Sequence, residues 1–268
     1  MSKKNKLGIL KALGLTVLGG SALVACGNAN QNTNNNYSGY TNGLPLVAEN
    51  VHMQKGEHNY VITEQFYEYL TDDILKKNQD MAINGLKEAY SNLDKYTSSL
   101  NINLCTTVET LANEYGIKKV DSIGEQDIAL YMTNDNLANN ALTKTSYNYD
   151  STSKEMKNLS ITFKKETTFS VWKLYNNLKE LTNPYNTVAY TNALRTGLET
   201  MGFRYFNDNK SVMNDFTEDS PKDLTDYDIE LLDKYCVTFY NAETTLKKSA
   251  NNVYGMLSYS DIDDELGM

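Results

Sequence analysis

Histidine is nearly missing from this 268-residue chain: it has two, His52 and His58, both in the first quarter. A histidine-built metal centre in the C-terminal half is therefore excluded, and the two histidines make only a weak pair of their own, read as surface or strand-edge residues. No G-x-S-x-G occurs, which removes the strand-turn-helix elbow that presents a nucleophilic serine. Positive charge is scarce, with 25 Lys and Arg against 34 Asp and Glu and a net charge of −9. That balance argues against nucleic acid and against a basic grip on anionic lipid. Long apolar runs are lacking after residue 25, so the rest of the chain reads as soluble, and no internal repeat is visible. Cysteine is limited to Cys26, Cys105 and Cys236.

The N-terminus has the layout of an export signal. Lys3, Lys4, Lys6 and Lys11 form a basic stretch, followed by the apolar run "ALGLTVLGGSALVA" at 12–25, too short to cross a bilayer comfortably. The run ends in Leu23-Val24-Ala25-Cys26, which resembles the lipobox of bacterial lipoproteins. The resemblance implies cleavage before Cys26, acylation of its thiol, and a protein held by lipid on the outer side of the bacterial cell membrane. An ordinary secretory signal with a chance cysteine is the alternative. Four lysines and no acids lie in residues 1–25, so the mature chain would carry 21 basic and 34 acidic side chains, a formal −13. "GNANQNTNNNYSGYTNG" (27–43) has seven Asn, three Gly and no charge, too few apolar groups to offset its ordering entropy, and reads as a tether. The organisation expected is a signal at 1–25, lipidated Cys26 with a tether to 44, one folded domain at 45–238 and an extension at 239–268. With Cys26 committed to lipid, Cys105 and Cys236 are read as two buried thiols, although export permits a bridge between them. The twenty tyrosines are scattered, which points to core packing more than to a sugar- or peptide-contacting surface.

Periodicity in the folded part predicts an α+β fold with a mixed sheet. "NYVITE" (59–64) reads as a strand, and the stretch from there to Leu75 is ambiguous. Ala82, Leu86, Ala89, Leu93 and Tyr96 fall on one face of a long helix over 76–98. "LNINLC" (100–105), "DIALYM" (127–132) and "LSITFKKE" (159–166) read as strands, the second of them central. "VWKLYNNLKEL" (171–181) has a helical stripe. Asn183-Pro184 reads as an N-cap and first helical position of a helix running to Met201 and ended by Gly202. A last clear helix starts near 224, with Thr225 as N-cap and Asp228 in a capping-box position, and 240–258 has room for one more.

The segment 183–236 resembles the active-site half of matrixin-type zinc metalloproteases, a branch of the metzincins. Those enzymes carry H-E-x-x-H-x-x-G-x-x-H on a helix that breaks at the glycine, followed by a turn containing methionine. Aligned on Gly202, the first ligand position is Arg195, the base position Thr196, the second ligand position Glu199 and the third Tyr205. Ser211-Val212-Met213 stands where the Met-turn falls, and "DLTDYDIELLDKY" (223–235) resembles the closing helix. The resemblance implies a metzincin-like twisted sheet with a long N-terminal helix, a degenerate active-site helix, a Met-turn and a C-terminal helix.

The residue types do not support the chemistry. Arg195 is a permanent cation without a lone pair, and Thr196 cannot act as the general base. Glu199 alone could ligate, and one carboxylate is not a catalytic zinc site. Neither metal nor cofactor is expected. Arg195 and Glu199, four apart, share a helix face, and an ion pair between them with the Tyr205 hydroxyl alongside is expected in the metal's place; a solvated pair is the other reading. The functional expectation is an anchored lipoprotein whose domain is catalytically inactive and binds a peptide or protein. An adhesion or solute-binding lipoprotein on another α+β fold, and an active hydrolase with an atypical site, are the rivals.

Overall fold

The computed structural model describes residues 40–41, 44–45, 52–72, 75–137, 141–150, 152–153, 155–169, 184–204, 210–214 and 220–240. The expected helix at 171–181, Cys26, Tyr205 and residues 241–258 lie outside them. Strands β1 (Tyr40–Thr41) and β2 (Leu44–Pro45) pair as a small antiparallel ribbon. The main sheet contains β3 (Gly56–Ile62), β4 (Leu100–Thr106), β5 (Lys118–Lys119), β6 (Ile128–Thr133), β7 (Thr143–Asp150) and β8 (Glu155–Lys164), in the order β5-β4-β3-β6-β8-β7. All neighbours are parallel except β7, which pairs antiparallel with β8 at the edge. The fold is α+β on a mixed sheet, and β6 is central as its apolar run requires.

The helices are α1 (Glu64–Thr71), α2 (Lys76–Tyr96), α3 (Glu109–Tyr115), α4 (Lys165–Thr168), α5 (Val188–Thr200) and α6 (Asp226–Phe239). Two expected strands end earlier than their residue types suggest. Thr63 leaves β3 to cap α1, its hydroxyl accepting from Phe66 N at 3.2 Å, which removes Thr63 and Glu64 from the strand. The Gln65 side chain then stands in for the missing strand residue: its Oε1 accepts from Met132 N at 2.9 Å and its Nε2 donates to Met132 O. Lys165 and Glu166, expected in β8, belong to the short α4.

One face of the sheet and the helices α2 and α5 enclose the core. Tyr60, Ile62, Ile102, Ile128, Leu130, Ile161 and Phe163 project from the strands into the same cluster as Leu86, Leu93, Leu194 and Leu198. The predicted stripe of α2 is the buried one, with Ala82, Leu86, Ala89 and Leu93 inside and Tyr96 packed at its margin. Several tyrosines are core residues: Tyr60 and Tyr90 stack with ring centroids 3.9 Å apart, and Tyr190 and Tyr235 are fully buried. Helices α2 and α5 approach so closely that a Cβ at Gly85 would overlap the Thr187 hydroxyl and lie 3.1 Å from Tyr190 N. Glycine at this crossing is a packing requirement, outweighing its cost in a helix interior of roughly 1 kcal/mol.

Cys105 and Cys236 are free and buried. Burial pushes the Cys105 thiol up to about 11, and its Sγ donates to Asn59 Oδ1 at 3.3 Å. His58 departs from the surface reading. It is 2% exposed within β3, its ring nitrogens 2.9 Å from Gln126 O and 2.6 Å from Gln54 O. His52 stacks on Phe239 with centroids 4.6 Å apart. Among the described residues, no helix is long and apolar enough to cross a membrane.

Candidate functional site

The site is built on α5, whose start differs from the sequence expectation. Pro184–Asn186 forms a single 3-10 turn, and the true N-cap is Thr187. Its hydroxyl accepts from Tyr190 N at 3.1 Å and donates to Pro184 O at 2.7 Å. Proline at 184 opens the turn that leads into the helix instead of the helix itself, because a hydroxyl that satisfies an orphan N–H defines the cap. At the other end Gly202 stops α5 as expected, with φ +100. Gly202 N donates to Glu199 O at 2.9 Å and Phe203 N to Leu198 O at 3.1 Å, the paired bonds of a Schellman ending, with Leu198 and Phe203 both in the core.

Every residue of α5 is buried, including the polar ones. Each polar group therefore needs a local partner. Thr191 Oγ1 donates to Lys222 O at 2.8 Å, Thr196 Oγ1 to Asn192 O at 2.7 Å and Thr200 Oγ1 to Gly197 O at 2.7 Å, while the Tyr60 and Thr200 hydroxyls meet at 2.7 Å.

Arg195 and Glu199 do not form the expected ion pair in the metal's place. Arg195, 1% exposed, sends Nη2 to the main-chain oxygen of Asn214. Glu199, 8% exposed, accepts from Thr145 Oγ1 of the edge strand β7 at 2.7 Å. One side chain reaches the turn after the helix and the other reaches the sheet. They remain coupled through the field: burial pushes the Glu199 carboxyl up to about 7, opposed first by the Thr145 bond and then by the Arg195 charge. The reading as a solvated pair also fails, since both are enclosed.

The turn beneath α5 is held from α6. Asn214 N donates to Ser211 O at 3.1 Å, closing residues 211–214, with Val212 and Met213 buried in the core. Asp228, 2% exposed, accepts from Val212 N at 2.9 Å and from the Ser211 hydroxyl. The same carboxylate accepts from Thr225 N at 3.0 Å and Thr225 Oγ1 at 2.9 Å, completing the capping box that starts α6. The capping box was legible in the sequence. Its second task, joining the closing helix to the Ser211–Asn214 turn, was not, and neither were the partners Thr145 and Asn214.

Zinc does not fit these positions. A catalytic zinc needs three lone-pair donors converging on one point. Arg195 offers none, Thr196 is bonded to its own helix, and the Glu199 carboxyl faces β7. Among the described residues, no group of three or more His, Cys, Asp or Glu is placed to hold a metal ion. No protein-family model matches the sequence, and no curated protein matches it.

Proposed function

We propose that the chain is a membrane-anchored extracytoplasmic lipoprotein, lipidated on Cys26, with a matrixin-like, catalytically inactive domain that works by binding peptide or protein. The observation that carries this reading is the occupied core of the degenerate site. The helix that ends at Gly202, the methionine-containing turn that Arg195 reaches and the closing helix bonded to that turn support the matrixin-like reading. Where that layout needs ligands and a base, Arg195, Thr196 and Glu199 are each committed to protein partners. Hydrolysis by metal-activated water has no support in such a donor set.

Closure of α5 moves the binding surface away from the positions of the lost ligands. The antiparallel edge strand β7 supports the binding role better: its Lys144 and Asn148 are exposed, and an edge strand offers main-chain groups to an extended partner. The anchor is supported by the basic stretch, the apolar run and Leu23-Val24-Ala25-Cys26.

The test combines two assays on the full chain. Casein or a mixed peptide library, incubated with the detergent-solubilised protein with and without a chelator, should remain uncleaved in both cases. Palmitate labelling should mark the wild type and not Cys26→Ala. Chelator-sensitive cleavage would overturn the inactive reading, and an unlabelled wild type would overturn the anchor.

A further inference from the structure

The segment 52–55 leads into β3 and meets the starts of β6 and β8, where several contacts hold it. Met156 N of β8 donates to His52 O at 3.3 Å. Met53, fully buried in the core, donates its N–H to the Tyr235 hydroxyl at 3.2 Å and accepts from the Tyr240 hydroxyl at 2.6 Å. The Gln54 side chain donates through Nε2 to Glu155 Oε2 at 2.6 Å and accepts at Oε1 from Gln126 Nε2.

The His58 ring stands between this segment and the loop before β6. Its Nδ1 is 2.9 Å from Gln126 O and its Nε2 is 2.6 Å from Gln54 O. A carbonyl oxygen only accepts, so each of the two bonds needs a donor on the ring. Neutral imidazole has one N–H and one lone pair, and only the doubly protonated ring has two N–H groups. Turning the ring over would put carbon where each nitrogen stands. Exchanging the tautomer would only choose which carbonyl faces a lone pair. With the ring 2% exposed, bulk water is not at hand to replace a lost donor.

The ionisable groups on the surrounding elements have other partners or face away. Lys118 Nζ donates to Glu57 at 2.6 Å and Asn59 Nδ2 to Asp127 at 2.9 Å, both on the sheet face opposite the ring, since Glu57 and Asn59 flank His58 in the strand. Glu155 accepts from Gln54, Lys157 Nζ donates to Asp150 at 3.1 Å, and Asp94 of α2 accepts from Ile102 N at 2.9 Å. Lys55 and Glu125 are exposed. Burial pushes the Tyr235 and Tyr240 phenols up, so they stay hydroxyls. His52, the other histidine, stacks on Phe239.

We infer that His58 is a proton-operated latch. With both nitrogens protonated, the ring clamps the segment 52–55 to the loop before β6; loss of one proton turns a lone pair on one carbonyl and releases the segment from the sheet. Closing the latch takes up a proton, so a fall in pH favours it and a rise opens it. The latch is independent of the matrixin-like reading.

The test is NMR on the full chain in detergent, labelled with ¹⁵N at histidine and methionine, from about pH 5 to about pH 8. The His58 ring nitrogens report its protonation. The Met53 and Met156 amides, bonded to Tyr235 and to His52 O, report the segment through hydrogen-exchange protection, and the Met132 amide, bonded to Gln65 away from it, is the reference. At the acid end both ring nitrogens should carry protons. As one is lost, protection at Met53 and Met156 should fall at least about tenfold with the same midpoint, while Met132 holds. His52→Phe, which keeps the stacking, should preserve this dependence, and His58→Gln should abolish it. Protection that persists through the ring titration, protection that falls while the ring stays doubly protonated, or a ring in one state across the whole range would each overturn the latch. The wild-type titration decides alone if His58→Gln does not fold.

Discussion

Two buried carboxylates, Asp228 beside the Ser211–Asn214 turn and Glu199 beside β7, have opposite surroundings. Asp228 accepts two main-chain N–H groups and two hydroxyls. Glu199 accepts one hydroxyl, has a buried guanidinium acting on it through space, and is pushed up to about 7 by burial. A carboxylate surrounded by donors can tie a turn to a helix. One with a single donor is held toward its neutral form by desolvation. The difference separates a carboxylate that joins two elements of the fold from one that is enclosed with a single hydroxyl donor.

The largest effect is expected at Asp228. Asp228→Ala would strand the buried Val212 N and the half-buried Thr225 N, and remove the capping box of α6. A loss of about 4 kcal/mol is expected, from about 1–3 kcal/mol per orphaned donor and about 1 for the cap. Urea unfolding at pH 7 would measure it, and a loss below about 1 kcal/mol would show that the turn does not depend on this carboxylate.

Glu199 should behave in the opposite sense and with pH. The folded chain retains the Glu199 proton up to about 7, whereas the unfolded chain releases it near the ordinary 4.5. The folded state binds more protons between those values, so this contribution is fully present below 4.5 and is lost as pH rises through 7. The whole window amounts to about 3 kcal/mol. Glu199→Gln keeps the neutral shape and should flatten the decline, leaving the variant at least as stable as the wild type at pH 8. Parallel stability curves for the two proteins from pH 4 to 8 would contradict the neutral-carboxyl reading.

The smallest effect probes their coupling. Arg195→Met removes the charge that holds the Glu199 carboxyl down, so the Glu199 titration should move further upward, read by carboxyl ¹³C shifts against pH. An unchanged midpoint would mean that the two side chains do not sense one another.

Much of the frame was legible. The stripe through Ala82, Leu86, Ala89 and Leu93 gave α2, β-branched and alternating runs gave β4, β6 and most of β8, and Gly202 and Thr225 marked helix ends through their own chemistry. Strand β7 was missed because "TKTSYNYD" is polar on both faces, as an edge strand can be when one of its faces meets buried polar groups such as Glu199. The start of α5 was misplaced because Asn183-Pro184 is a good cap on paper, yet Thr187 is the residue whose hydroxyl reaches an orphan amide. The closed surroundings of Arg195 and Glu199 were hidden for another reason. A helix carrying Thr191, Asn192, Arg195, Thr196, Glu199 and Thr200 looks two-faced in sequence, and only tertiary partners such as Thr145, Asn214 and Lys222 allow it to be buried all round.

On the proposed reading, α5 keeps the backbone of a zinc-protease helix without its metal chemistry. The most direct measurement is zinc titration calorimetry on the full chain in detergent, together with metal content as purified. The account predicts no stoichiometric zinc and no heat of tight binding. One tightly held zinc per chain, lost on Glu199→Gln, would contradict it.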